Sequence, residues 1–286
     1  MKKIHPTQFL ISLICLILCV MPAAAEEMPQ NLSYYENDAE IEGHAQYAHE
    51  RCRLDVYRPE TAPAAAPVVV WFHGGGLSGG NRFVPQQFQN QKFIVVPVNY
   101  RLFPKASCQH AIRDAAAAVA WTLKNIEKFG GDPKKVYLSG HSAGGYLSAM
   151  VALDPRYLAK FGISNLELAG AFPISGQMTT HFQVVGERTD PKKTSGANNP
   201  LVIDEMAPLY YTTQICPNLH LLVGDSKLDW PGRVEENLLL AAMLRKIKDQ
   251  NEIEVRSFEG TNHGTCAVPA GEYVRDYVNQ HALKAD

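Results

Sequence analysis

The residues best suited to do chemistry are the hexapeptide Gly140-His141-Ser142-Ala143-Gly144-Gly145. It follows the short apolar run Val136-Tyr137-Leu138 and precedes the helix-prone stretch from Tyr146 to Leu153. A strand, then Gly-x-Ser-x-Gly, then a helix is the layout that makes a serine hydroxyl a nucleophile. The turn is tight enough to require glycine near the serine. Strand and helix backbones then approach closely, and Ser142 is held in a strained, exposed position. Taken alone, the pentapeptide is equally a Gly-Ser turn that packs a helix on a sheet, because short motifs recur by chance.

Acyl transfer by a serine needs three further parts: a base, an acid that orients it, and donors for the developing oxyanion. Phe72-His73-Gly74-Gly75-Gly76 ends the apolar run that begins at Val68. The unhindered N–H groups of Gly74 and Gly75, joined by that of Ala143 after the nucleophile, are the candidate oxyanion donors. A phosphate-binding loop would need Gly-x-x-x-x-Gly-Lys-Ser/Thr, which is absent. His73 is expected to be a structural hydrogen-bonding group rather than a base. Among the 10 histidines, His141 adjoins the nucleophile, where its side chain should point away from that of Ser142. His220 lies in an apparent buried strand. His263 stands in the loop Gly260 to Gly264 after the last strand and is the candidate base, with His181 as the fallback. The acid should follow the strand that ends at Gly224, in the chain order Ser, Asp, His. Asp225 sits at the strand end, where it can cap the turn. Asp229 lies farther into the loop, can swing toward His263, and is favoured.

These parts need a scaffold that gathers loops at one edge. Arg53 to Tyr57 alternates and predicts a first strand. Val68 to Phe72 and Phe93 to Val98 are continuous apolar runs, as expected for strands covered on both faces, with Pro97 marking an edge or bulge. Residues 109 to 129 carry a helical stripe stopped by Gly130-Gly131-Asp132-Pro133. Apolar runs recur at Leu168 to Ile174 and Leu219 to Gly224, followed by a helix over 233–248, a strand from Ile253 to Phe258 and a closing helix over 270–283. Strands alternating with helices predict an α/β fold, with a mostly parallel central sheet flanked by helices and ligands at the carboxyl ends of its strands. The polar stretch 177–212 breaks the alternation and is expected to be a small cap over the site. Arg101 and Asp114 are a candidate buried pair supporting the serine turn, against two separate surface charges. Trp230, Phe182 and Leu77 are candidates for a substrate pocket, against ordinary core residues.

Composition narrows the partners. Lys2-Lys3, an apolar stretch from Phe9 to Val20, and Ala23-Ala24-Ala25 form a secretory signal peptide over residues 1–25. This leaves one domain over 26–286 in a secreted or periplasmic location, with no membrane partner after removal. That part carries 25 basic and 29 acidic residues, a net charge of about −4. Nucleic acid and anionic membranes, which need a basic face, are not expected partners. Cys52, Cys108, Cys216 and Cys266 permit two disulfides or four buried free thiols. No Cys/His spacing suits zinc, so no metal is expected.

The pair His73-Gly74-Gly75-Gly76 and Gly140 to Gly145 resembles the α/β-hydrolase carboxylesterases, in particular the hormone-sensitive-lipase-like group and the feruloyl and acetyl-xylan esterases. Leu54-Asp55-Val56-Tyr57-Arg58-Pro59, Asn99-Tyr100-Arg101-Leu102 and Asn262-His263-Gly264 extend the likeness over nearly all of the chain beyond residue 25. The resemblance implies a nucleophile at Ser142, a base at His263, an oxyanion hole from Gly74, Gly75 and Ala143, and no cofactor. His141 stands where the hormone-sensitive-lipase-like group often has Asp, and residues 26–50 are short and polar for its helical N-terminal cap. Both departures favour the feruloyl and acetyl-xylan side. Lys227 stands where family members tend to place the acid. The expected reaction is hydrolysis of short-chain acyl esters, acetyl or feruloyl groups on polysaccharide among them. A serine peptidase or amidase and a non-catalytic binding protein are the alternatives on the same fold.

Overall fold

The computed structural model describes residues 30–189 and 200–282. The expected signal peptide lies outside the described residues, as does the centre of the expected cap. In chain order the elements are β1 (Leu32–Ser33), α1 (Ala45–Arg51), β2 (Arg53–Leu54), β3 (Ala66–Phe72), β4 (Ile94–Val98), α2 (Cys108–Asn125), β5 (Gly131–His141) and α3 (Ala143–Leu153). There follow α4 (Pro155–Ala159), β6 (Gly170–Ile174), α5 (Phe182–Thr189), β7 (Leu219–Val223), α6 (Arg233–Leu244), β8 (Ile253–Ser257) and α7 (Ala267–Ala282). The strands form one sheet in the order β1-β2-β4-β3-β5-β6-β7-β8. All pairings from β4 to β8 are parallel, and only the short β1 and β2 run antiparallel.

The continuous apolar runs become strands because both faces of the sheet are covered. Successive side chains of β3 alternate between two cores. Val68, Val70 and Phe72 join the larger one, built with the alanine-rich face of α2 and with α3 and α6. Val69 and Trp71 join a smaller one under Ala270, Val274 and Val278 of α7. All five residues of β7 and of β6 are buried. The parallel order from β3 through β5 and β6 to β7 and β8 brings the loops after these strands to one edge, where ligands bind in such sheets.

Pro97 does not mark a sheet edge, since β4 lies inside the order. Asp55 stands opposite Pro97 in the antiparallel register, and its N–H donates to the Pro97 carbonyl at 3.2 Å; proline returns no bond, so the ladder is interrupted between β2 and the Tyr57–Val95 bridge. The polar stretch after the expected signal peptide contains β1 and most of the helix α1. Leu77 lies fully buried in the larger core, the ordinary-core alternative, and is not among the residues that line the cavity described below. The cysteines Cys52, Cys108, Cys216 and Cys266 are buried free thiols, and burial pushes those of Cys216 and Cys266 up to about 12.

Arg101 and Asp114 form the expected fully buried pair, at 2.6 Å, but not in support of the serine turn. Arg101 donates through Nε to Asp114 Oδ2 at 2.8 Å and through Nη1 to the carbonyl of Gly43 at 2.5 Å. Tyr35 donates its hydroxyl proton to Asp114 at 2.6 Å. The pair thus fastens the N-terminal segment onto α2, with no bond to the serine turn. Removing one partner leaves a buried charge without compensation. Asp114→Ala is expected to lower unfolding free energy by about 3–5 kcal/mol in urea titrations.

Candidate active site

Ser142 sits in the tight passage from β5 into α3. Its backbone has φ 59° and ψ −117°, a strained conformation for a residue with a side chain. The passage is closed by contact. A Cβ at Gly144 would stand 2.0 Å from the carbonyl oxygen of Phe72, and one at Gly140 would stand 2.6 Å from the Gly144 carbonyl. The N–H of Ser142 donates to Ile174 O at 2.8 Å, and its carbonyl accepts from Tyr146 at 3.0 Å. The turn is therefore pinned to β6 on one side and to the first turn of α3 on the other.

The side chains expected to act together meet. His263 Nε2 lies 2.9 Å from Ser142 Oγ, and His263 Nδ1 lies 3.0 Å from Asp229 Oδ1. This is the nucleophile, base and orienting acid geometry of acyl transfer, with Nδ1–H donating to the carboxylate and Nε2 free to accept the serine proton. Burial opposes ionisation of Asp229. Hydrogen bonds from His263, Ser175 and the N–H groups of Trp230 and Gly224 outweigh it and hold the carboxyl down at about 2. Asp225 is a half-exposed residue just before the turn, and its carboxylate accepts from the N–H groups of Lys227 and Gly260, both at 2.9 Å. It does not reach His263. His181 is buried, lowered to about 3 first by burial and then by Arg233, and accepts from the Gln183 N–H at 3.1 Å.

The loop after β3 lies beside the nucleophile. A Cβ at Gly74 would come 3.5 Å from Ser142 Cβ. Gly75, at φ 114°, turns so tightly that a Cβ would stand 2.3 Å from Gly79 O. Within the described residues no acceptor takes the N–H of Gly74 or Gly75. Ala143 begins α3, so its N–H has no partner within the helix. His73 stacks on Tyr100 at 4.3 Å, and its carbonyl accepts from the Tyr100 hydroxyl at 2.7 Å. Burial lowers its imidazole to about 4, and it stiffens the glycine loop from behind.

Trp230 and Phe182 are among the expected pocket residues, whereas the parts played by His141 and Ser175 are not foreseen from the sequence. His141 uses Nε2 to reach the carbonyl of His263 at 2.7 Å, so the residue before the nucleophile holds the loop of the base. Trp230 stacks on His263 at 4.0 Å with planes 16° apart. It also stands 6.0 Å from Phe182, which abuts Gly76. Together they wall a cavity of about 820 Å³ that includes Leu209, Val185 and Ile203. Ser175, at the end of β6, hydrogen-bonds both Asp229 and His263. One signal marked it: a polar residue directly beyond the carboxyl end of a buried strand. Among the described residues, the trio His220 on β7, Glu252 just before β8 and Glu254 on β8 brings potential metal ligands within 4.8 Å of one another. Glu254 is there engaged by Tyr273 at 2.8 Å.

A mostly parallel sheet with Ser142 on a strand-to-helix turn, and with Asp229 and His263 on later loops in that chain order, has the layout of the α/β-hydrolase fold. The family model BD-FAE matches residues 54–185. Esterase LipC of Mycobacterium tuberculosis is 33% identical over 249 residues, covering 77% of this chain and 61% of that protein. The probable isoprenylcysteine alpha-carbonyl methylesterase ICMEL2 of Arabidopsis thaliana is 36% identical over 110 residues, 37% of this chain and 26% of that protein. The chain thus spans about a quarter of the length of that plant relative. The apo form of Thermogutta terrifontis esterase 2 superposes with a TM-score of 0.67 at 22% identity, over 91% of this chain and 98% of that one. The fold is that of the α/β-hydrolases, and the relatives that the chain resembles include esterases and carboxylesterases.

Because Asp229 is held below its unfolded value of about 3.9, its contribution to stability is present above that pH and is lost as pH falls toward about 2. Asp229→Asn is expected to flatten this acid limb in thermal unfolding between pH 4 and 2. The same substitution should lower ester turnover by about 10⁴-fold, while Asp225→Asn leaves turnover unchanged.

Proposed function

We propose that the chain is a serine carboxylesterase acting through an acyl-enzyme. The observation that carries this reading is the unbroken run of contacts from Ser142 Oγ through the two nitrogens of His263 to Asp229. Ser142 Oγ attacks the ester carbonyl as its proton passes to His263 Nε2. Asp229 stabilises the imidazolium that results. The N–H groups of Gly74, Gly75 and Ala143 take up the charge on the carbonyl oxygen; one such donor is worth about 3–4 kcal/mol in the transition state. The intermediate collapses, His263 gives its proton to the departing alcohol, and water repeats the sequence to release the acid. Ser142 spends its own N–H on Ile174, which leaves the Ala143 N–H as the donor contributed by this turn.

The cavity beside Trp230 and Phe182 supports substrates with an apolar or aromatic group larger than acetyl, so feruloyl-like esters fit the reading better than acetyl esters. Export across a membrane is proposed from the leader composition of residues 1–25. The name of one fungal relative, Secreted lipase 5 of Gibberella zeae, 44% identical over 100 residues, agrees with it.

Hydrolysis of p-nitrophenyl acetate by wild type and by Ser142→Ala tests the reading. Turnover should fall by several orders of magnitude, and equal rates would overturn it. A panel of acetyl, butyryl and feruloyl esters tests the pocket. Trp230→Ala is expected to raise KM for the feruloyl ester by about 10-fold relative to the acetyl ester.

A further inference from the structure

Ser175 is the residue whose placement the chemistry above leaves unexplained. It is fully buried, follows the last residue of β6, and adopts φ 44°, a conformation that favours glycine. Its backbone is held there from three directions. The N–H donates to Leu222 O at 2.7 Å. Arg233 Nη1 donates to the Ser175 carbonyl at 2.5 Å, and Asn237 Nδ2 donates to the next carbonyl, that of Gly176, at 3.0 Å. Nor can the segment slide, since a Cβ at Gly176 would stand 2.7 Å from the carbonyl carbon of Gly145. The start of α6 thus clamps a strained backbone at a point where glycine would fit with less cost.

The hydroxyl is what a glycine would lack. Ser175 Oγ lies 2.8 Å from Asp229 Oδ2, 3.0 Å from Asp229 Oδ1 and 2.9 Å from His263 Nδ1. Counting protons fixes the directions. With Nε2 accepting from Ser142, the single ring proton of neutral His263 is on Nδ1. Nδ1–H therefore donates, and the Ser175 hydroxyl proton has only the Asp229 carboxylate left to receive it. The result is a second route from base to acid, Nδ1–H to Ser175 Oγ and Ser175 O–H to Oδ2, parallel to the direct bond from Nδ1–H to Oδ1. We infer that Ser175 is a positioning residue whose hydroxyl bridges Asp229 and His263 and fixes the rotation of the imidazole through both proton transfers. With one bond alone, the ring can pivot about the Nδ1–Oδ1 axis and carry Nε2 away from Ser142. Two acceptors on different sides of Nδ1–H remove that freedom.

This inference rests on the esterase reading for its kinetic test and is separable from it by spectroscopy. Ser175→Ala and Ser175→Gly are expected to lower kcat for p-nitrophenyl acetate by about 10- to 100-fold, with KM within about two-fold of wild type. Ser175→Gly removes the hydroxyl while relieving the backbone, so it should melt no lower than wild type. Ser175→Cys, with a weaker donor and acceptor, should fall between. A Ser175→Gly enzyme of undiminished kcat would overturn the inference. So would Ser175→Cys being worse than Ser175→Gly. The downfield Nδ1–H proton resonance of His263 gives the independent readout, and it should move in Ser175→Gly. If wild type hydrolyses no ester, the esterase reading fails, and that resonance decides the bridge alone: an unchanged position overturns it.

Discussion

Everything at this site depends on how closely α3 is pressed against the sheet. Between Gly144 and the carbonyl of Phe72 there is no space for a methyl group. That contact forces the chain to turn within one residue, and the residue is Ser142. The same contact brings the loop after β3 against the nucleophile, because Phe72 is the last residue of that strand. Strain at one φ/ψ pair, of about 1–3 kcal/mol, is thereby exchanged for a hydroxyl and N–H donors held on the same side of the turn. The cost is carried by the packing of α3, every residue of which is buried.

The strand register extends this constraint outward. His141 pairs with Ile174, and Ile174 with Leu222, so the ends of β5, β6 and β7 are level. Ser142, Ser175 and Gly224 lie just beyond these ends and meet Asp229 and His263 from one side. The electrostatics follow burial. Asp229 is almost wholly withdrawn from solvent, with side-chain exposure of 1%, while that of His263 is 13%. A carboxylate so placed must be saturated with donors. The N–H groups of Gly224 and Trp230 supply two of them, at 2.9 and 2.7 Å, and fix both its oxygens without any cation in contact.

Much of this was legible in the sequence, for reasons that differ residue by residue. Ser142 was visible because the close approach demands glycines at fixed offsets, and glycine leaves a pattern. His263 was visible because it stands alone in a loop after a strand. Loop position alone favours Asp229 over Asp225 in the sequence, and in the structure it is Asp229 that lies within hydrogen-bond distance of His263. Asp225 is consumed in closing the turn through Lys227 and Gly260, which releases the later carboxylate to face inward. Ser175, Arg233 and Asn237 were not legible. Their contacts cross 54 to 61 residues of chain, and no local period encodes them. The Arg101–Asp114 pair was seen but misplaced, because its partners Tyr35 and Gly43 lie in a segment that looks structureless by composition.

The hydrogen bond from the His141 ring to the His263 carbonyl has a geometric consequence. Ser142 and His263 are 121 residues apart, with α3, α4, β6, α5, β7, α6 and β8 between them. If each element set its own position independently, small displacements would accumulate along that path and blur the reacting distance. The side chain adjoining the nucleophile instead grips the backbone of the base, so one imidazole serves as a gauge block between them. Breathing of the intervening elements is then short-circuited, and the spacing of the reacting pair becomes a local property of two neighbouring loops.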